Sequence, residues 1–259
     1  MRNLLLVLFL GLSQVGGIGG FGGVGGAGGG PTSTCTLPTN LTYRWLPAPG
    51  CSTSSPCMTD TVSGNNASQT ISGDLPTYSS TGGGANGNNS YLTFNGTSDY
   101  LIPTTAIPTT ANVYTFYAVF ELTTASVTNP LFGSSSAYST PGVVWYVTSS
   151  NLLRDSNNGP VFYTGTNTYS STSTWYAVAA EFSVSGNTQS LYKCTSGTCT
   201  ADGSGGTNTF GAITATTNWL GASQLLGPNF LHAKVSEFGY YNGNSLTGLG
   251  AYVNCQYGI

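Results

Sequence analysis

From about residue 34 onward, short apolar runs alternate with clusters of Gly, Asn, Ser, Thr and Pro, and the punctuation never pauses long enough to write a long helix. The runs are rich in Val, Thr, Tyr and Phe, which fit a pleated, half-buried surface. This pattern specifies one all-β domain, a sandwich or barrel over residues 34–259. Strands are expected at 43–46, 91–95, 99–102, 113–122, 143–148, 174–184, 189–194, 218–222 and 230–241. In 174–184, Tyr176, Val178, Ala180, Phe182 and Val184 share an apolar face that belongs in a core. Trp175, Ala177, Ala179 and Glu181 share the other, which should form the outer or concave surface.

The run 230–241 changes parity, because Val235 is an odd position while Phe238 and Tyr240 are even. All three reach one core only if an extra residue sits between them, so a β-bulge is predicted at Ser236-Glu237. The period then lengthens. Leu246, Leu249, Val253 and Tyr257 fit one face of a short terminal helix capped by Asn244 or Ser245, although Gly248 and Gly250 oppose it.

Charged residues make up 5% of the chain, against roughly 25% in ordinary soluble domains. Ser, Thr and Asn supply 90 of the 259 residues, so the exterior is covered by neutral hydroxyl and amide groups. Five scattered cations cannot displace the counterions of a nucleic acid, which excludes that partner. With 39% hydrophobic residues the chain can fill a core, which excludes disorder. Good helix formers are too thinly spread for a bundle. Few ionisable groups also mean few titrations that differ between folded and unfolded states. Thermal stability of the calcium-free protein is therefore expected to be nearly constant between about pH 3 and 8.

Residues 1–15 read as a secretory signal peptide or hydrophobic N-terminal segment, with Arg2 before the apolar run Leu4 to Leu12 and small residues from Ser13. The run is shorter than the ~20 apolar residues that span a bilayer, so no membrane span is expected. Residues 16–33 repeat Gly-Gly-x and read as a flexible linker. Six cysteines in an exported chain, without Cys/His metal spacing, point to disulfides. Several connectivities are open. Spacing favours Cys194 with Cys199 across a hairpin and Cys51 with Cys57 across a Ser/Thr/Pro loop, which leaves Cys35 with Cys255 to tie the domain's ends.

Several segments resemble a known family. Tyr91-Leu-Thr-Phe-Asn-Gly-Thr-Ser-Asp-Tyr-Leu101 is similar to the Phe-Asp/Asn-Gly-x-x-Asp-Tyr strand pair of laminin-G-like domains, in the concanavalin A-like lectin/glucanase superfamily. Upstream, Asp60-Thr-Val-Ser-Gly-Asn-Asn66 and Leu75-Pro-Thr-Tyr78 resemble its Asp-x-Ser-Gly-Asn loop and Pro-x-Tyr approach. Downstream, Trp175-Tyr-Ala-Val-Ala, Asn218-Trp-Leu-Gly221 and Lys234-Val-Ser-Glu-Phe-Gly-Tyr-Tyr-Asn242 resemble later strands in the family's order. The closing stretch Leu249 to Gly258 is like the terminal helix of bacterial and phage versions. The resemblance implies a two-sheet antiparallel jelly-roll sandwich with a concave face and a short C-terminal helix. Fold alone does not deliver function.

The glucanase branch of this superfamily sets its carboxylates two and four apart on one strand. Here Glu121, Glu181 and Glu237 are each isolated in sequence, so catalysis is not expected. No cofactor is required, but the resemblance suggests a structural Ca2+ held by Asp60, Asn65, Asn66 and Glu237. A second oxygen-rich cluster runs from Arg154 to Gly159. Against both, Asp and Asn before Gly are ordinary turn residues; the family's usual Asp is Ser236 here, and Glu237 can instead serve donors freed by the bulge. Flat aromatic faces suit sugars, and Trp145, Tyr146, Tyr163, Tyr169 and Trp175 lie in the middle region where the concave sheet is expected. Two functions follow as expectations: an exported, non-catalytic module binding a neutral glycan or cell-surface polymer, or a self-assembling structural or adhesion subunit of a fibre, virion or cell envelope. Either places the protein outside the cell, secreted or on a cell or virion surface.

Overall fold

The computed structural model describes residues 35–107, 113–134, 142–157, 162–203, 206–207, 217–223, 229–243 and 246–259. The expected signal segment 1–15, the linker 16–33 and the helix cap at Asn244 or Ser245 lie outside the described residues. Cys35–Ile259 forms one compact unit. It is the all-β antiparallel sandwich expected from the sequence, closed by a short C-terminal helix.

Among the described residues the larger sheet has twelve strands. At its centre Val113–Leu122 pairs with Trp175–Ser183 on one side and His232–Tyr241 on the other. Thr188–Thr195 and Thr198–Ala201 extend it past Trp175–Ser183, while Leu41–Pro47 and Asn89–Asn95 both flank His232–Tyr241. The smaller sheet runs Phe162–Thr168, Leu152–Asn157, Val143–Val147, Asn129–Ser134, Asn218–Leu220. Between the sheets lies the main core, where Trp45, Phe94, Phe120, Phe132, Trp145 and Leu153 are fully or almost fully buried.

The bulge falls where parity requires it. Val235 pairs with Phe120 and Glu237 with Val119, so Ser236 is the extra residue, and Val235, Phe238 and Tyr240 all reach the main core. Its second effect is to turn Glu237, Gly239 and Tyr241 together onto the outer face of the large sheet.

That outer face is not open along its length. The helix Leu246–Tyr257 packs on it, and Leu249, Tyr252, Val253 and Tyr257 join Tyr117, Val119, Trp175, Ala177 and Ala179 in a second buried cluster. The second face of Trp175–Ser183 is thus largely an interface rather than a surface. Thr247 and Gly248 have non-helical backbone angles, so the regular helix begins at Leu249. Gly250 is needed for a different reason: a Cβ there would lie 2.5 Å from the backbone of Thr198.

Three disulfides join Cys35 to Cys255, Cys51 to Cys57 and Cys194 to Cys199. The first ties the helix to the start of the domain across 220 residues. Three such bonds suit an extracellular protein. No helix among the described residues is long and apolar enough to cross a membrane.

Candidate functional site

The Asp60 loop is built around one carboxylate. Asp60 Oδ1 accepts the N–H groups of Arg44 and Val62, and Oδ2 accepts those of Ser63 and Asn65 together with the Ser63 hydroxyl. Burial pushes the Asp60 carboxyl up, but these hydrogen bonds outweigh it and hold the group below its ordinary range. Asn66 Oδ1 accepts from Asp60 N, and Asn65 Oδ1 from Thr105 N. A calcium ion needs lone pairs, whereas these oxygens already face hydrogens. The Asp60, Asn65 and Asn66 set therefore fits a folded turn better than a metal. Among the described residues no group of three or more acidic, Cys or His side chains is placed to hold one.

Glu237 is not part of that loop. It is fully buried under the C-terminal helix, where Arg44 Nε and Nη2 donate to its two oxygens at 3.2 and 3.3 Å. Tyr117 donates to Oε1, and Tyr252 and Tyr257 donate to Oε2. Burial, then the charge of Glu237, pushes all three phenols up. Burial alone would lower the Arg44 guanidinium, yet the Glu237 charge raises it. Gly239 makes the arrangement fit, because a Cβ there would meet the Tyr117 ring at 1.8 Å.

Glu121 and Glu181 do not form a close carboxylate pair, and the Glu237 carboxylate is taken up by Arg44 and three tyrosines. Glu121 pairs with Trp175 across the ladder, and Glu181 lies six residues further along that strand, roughly 20 Å away at the rise of a β-strand. Retaining glycosidases need ~5–5.5 Å. Glu121 instead takes a 2.6 Å contact from Lys234 Nζ, which also lies over the Tyr91 ring. This pair is partly exposed, so Lys234→Met should change the unfolding free energy by less than about 1 kcal/mol in urea titration.

The five aromatics expected to bind sugar are dispersed. Trp145 and Tyr169 are fully buried, the latter donating its hydroxyl to Asp202 at 2.8 Å. Tyr163 points between the sheets opposite Asp155. Trp175 retains only 8% of its surface, beside Tyr91 at the margin of the helix interface. Tyr146 alone belongs to the outer face of the small sheet, opposite Trp145 by strand alternation, and with 5% of its surface exposed it lies beneath its neighbours there.

On that face a compact cluster of aromatic rings and one cation does form. Arg154 pairs with Tyr146 on one side and Thr164 on the other, and its guanidinium carbon lies 4.2 Å from the centre of the Phe162 ring. Phe162 and Tyr146 meet edge to face, with centroids 6.4 Å apart at 88°. The partly exposed Phe162, Arg154 and Thr164 combine a flat apolar face, a cation and a hydroxyl. Sequence reasoning placed Arg154 only in an oxygen-rich loop and passed over Phe162. The alternation Phe162/Thr164 against Tyr163/Gly165 is the signal that finds them.

No protein-family model and no curated protein sequence matches the chain. Solved structures do. Trypanosoma rangeli sialidase superposes with a TM-score of 0.56 at 14% identity, covering 84% of this chain and 33% of the sialidase. The botulinum neurotoxin serotype D binding domain gives 0.53 at 13% identity, covering 84% of this chain and 51% of that one. The CBM40 of Ruminococcus gnavus IT-sialidase gives 0.40 at 10% identity, covering 52% and 78%. The chain shares a β-sandwich fold. It spans about a third of the sialidase's length, and at these identities the likeness concerns architecture alone.

Proposed function

We propose that this domain is an exported, non-catalytic recognition module of laminin-G-like type that binds carbohydrate through the outer face of its smaller sheet. The observation that carries this reading is the Phe162–Arg154–Tyr146 patch. Sugars are held by stacking their apolar C–H faces on aromatic rings while a few fixed polar groups select orientation. Here Arg154 lies over one face of the ring and Tyr146 meets it at right angles, so little ordering remains for a ligand to impose. The patch lies on strands rather than on loops, which keeps its geometry constant.

A glycan array followed by calorimetry on the best ligand tests the proposal. Phe162→Ala should weaken binding at least about tenfold, or ~1.4 kcal/mol, with the unfolding temperature of the domain little changed. Defined sugar binding that survives this substitution would remove the site from consideration. Absence of sugar binding together with self-association dependent on residues 1–33 would favour the structural-subunit alternative.

A further inference from the structure

We infer that the Arg154–Phe162 patch selects an acidic saccharide, through a carboxylate or sulfate that completes the guanidinium. This inference rests on the carbohydrate-binding reading and names the ligand class of the same site, in place of the neutral glycan that scarce charge suggested.

The chain has eight carboxylate side chains, and all lie among the described residues: Asp60, Asp74, Asp99, Glu121, Asp155, Glu181, Asp202 and Glu237. Two of them neutralise cations, Glu237 with Arg44 and Glu121 with Lys234. Asp60 is consumed by Arg44 N and by donors of its own loop, and Asp202 by the N–H groups of Thr166 and Asn167 and the Tyr169 hydroxyl. None forms an ion pair with Arg154. Its neighbour in sequence, Asp155, points the opposite way, fully buried between the sheets. The internal segments outside the described residues contain no Asp or Glu at all, so no loop of this chain can bring a side-chain carboxylate to Arg154.

The guanidinium is also pre-positioned. Stacked on Phe162 it presents its N–H donors in the plane of the fork, the geometry that meets a carboxylate or sulfate through paired hydrogen bonds. Its Nε is buried without a hydrogen-bond partner. A chain with five cations in all, two of them locked in ion pairs, keeps this one uncompensated on an aromatic plate. A ligand anion is the missing partner that the geometry accommodates.

The test compares three galactose-based oligosaccharides of similar length: one uncharged, one carrying uronic carboxylates and one carrying sulfates. Affinities are measured for the wild-type protein, Arg154→Gln, Arg154→Lys and Phe162→Ala, at low and high salt, after circular dichroism confirms each fold. One or both acidic ligands should bind at least tenfold more tightly than the uncharged one. That preference should fall with salt, vanish in Arg154→Gln and survive in part in Arg154→Lys, which keeps the charge but loses the fork. Which acid wins identifies the anion. If the uncharged ligand binds equally well, is lost in Phe162→Ala and is indifferent to Arg154→Gln, the recognition module stands and the acidic preference is overturned. If no saccharide binds the wild-type protein, both readings fall.

Discussion

Replacing Glu237 with glutamine is expected to cost about 3–5 kcal/mol of stability. Its side chain is fully buried and balances Arg44, whose side chain retains only 13% of its surface. Glutamine preserves shape but leaves a buried guanidinium with no counter-charge, and three tyrosine hydroxyls lose a charged acceptor. At about 2–4 °C per kcal/mol for a domain of this size, the midpoint should fall by roughly 6–20 °C. Removing both charges with Arg44→Met and Glu237→Leu should recover much of that loss, because the uncompensated charge is the costly element. Matched thermal and urea unfolding of the two single variants and the double variant checks this; strictly additive losses would show that the two groups are not coupled. The Cys35–Cys255 bond still tethers the helix in every variant. The damage should therefore appear first as faster amide exchange across Leu249–Tyr257 rather than as release of the helix.

The same cluster shows what the sequence could and could not disclose. Parity alone located the bulge at Ser236 and the core positions around it, because a period of two leaves no freedom once three apolar residues must share a face. It could not disclose that Glu237 would be buried, since the helix that covers it is adjacent in space and invisible to strand alternation. The helix was legible from Leu249, Val253 and Tyr257, while its destination was not. Missed strands have a common cause. Thr77–Gly83 and Phe162–Thr168 are largely polar and glycine-bearing, so no strand is expected there although each pairs with a neighbour on a sheet. Asn129–Ser134 carries Pro130, and the ladder tolerates it through an irregularity between Pro130 and Phe132. Conversely, the strand expected at 99–102 is reduced to Ile102–Pro103, because Asp99 is used to close the turn by accepting from Asn95 N. The expected aromatic residues do not converge for a related reason: in a sandwich, alternation sends half of them inward, and Trp145 and Tyr169 are core.

Asp155→Asn should stabilise the protein at neutral pH by about 1–3 kcal/mol, or roughly 2–12 °C. Asp155 follows Leu153 on the inward face of its strand, and neither carboxylate oxygen has a hydrogen-bond partner. Burial pushes this carboxyl well above its ordinary range. The folded chain therefore retains a proton that the unfolded chain gives up near about pH 4. The contribution of this group is complete below that pH and is lost as pH rises through the folded-state value. Asn at this position keeps the shape of the protonated acid and does not titrate. Its advantage should be near zero at pH 3 and grow toward neutrality. Burial also raises Asp99 and Glu181, which act in the same direction, whereas Asp60 is lowered and loses its contribution only on acidification. Eight carboxylates are few, but the flat profile expected from their scarcity assumes that each keeps its solution pKa, and at least one is placed where it cannot. Scanning calorimetry of wild type and Asp155→Asn from pH 3 to 8 decides the matter. An identical gap between the two proteins at both ends of that range would mean that the Asp155 carboxyl is not held neutral, and that the buried interior tolerates its charge.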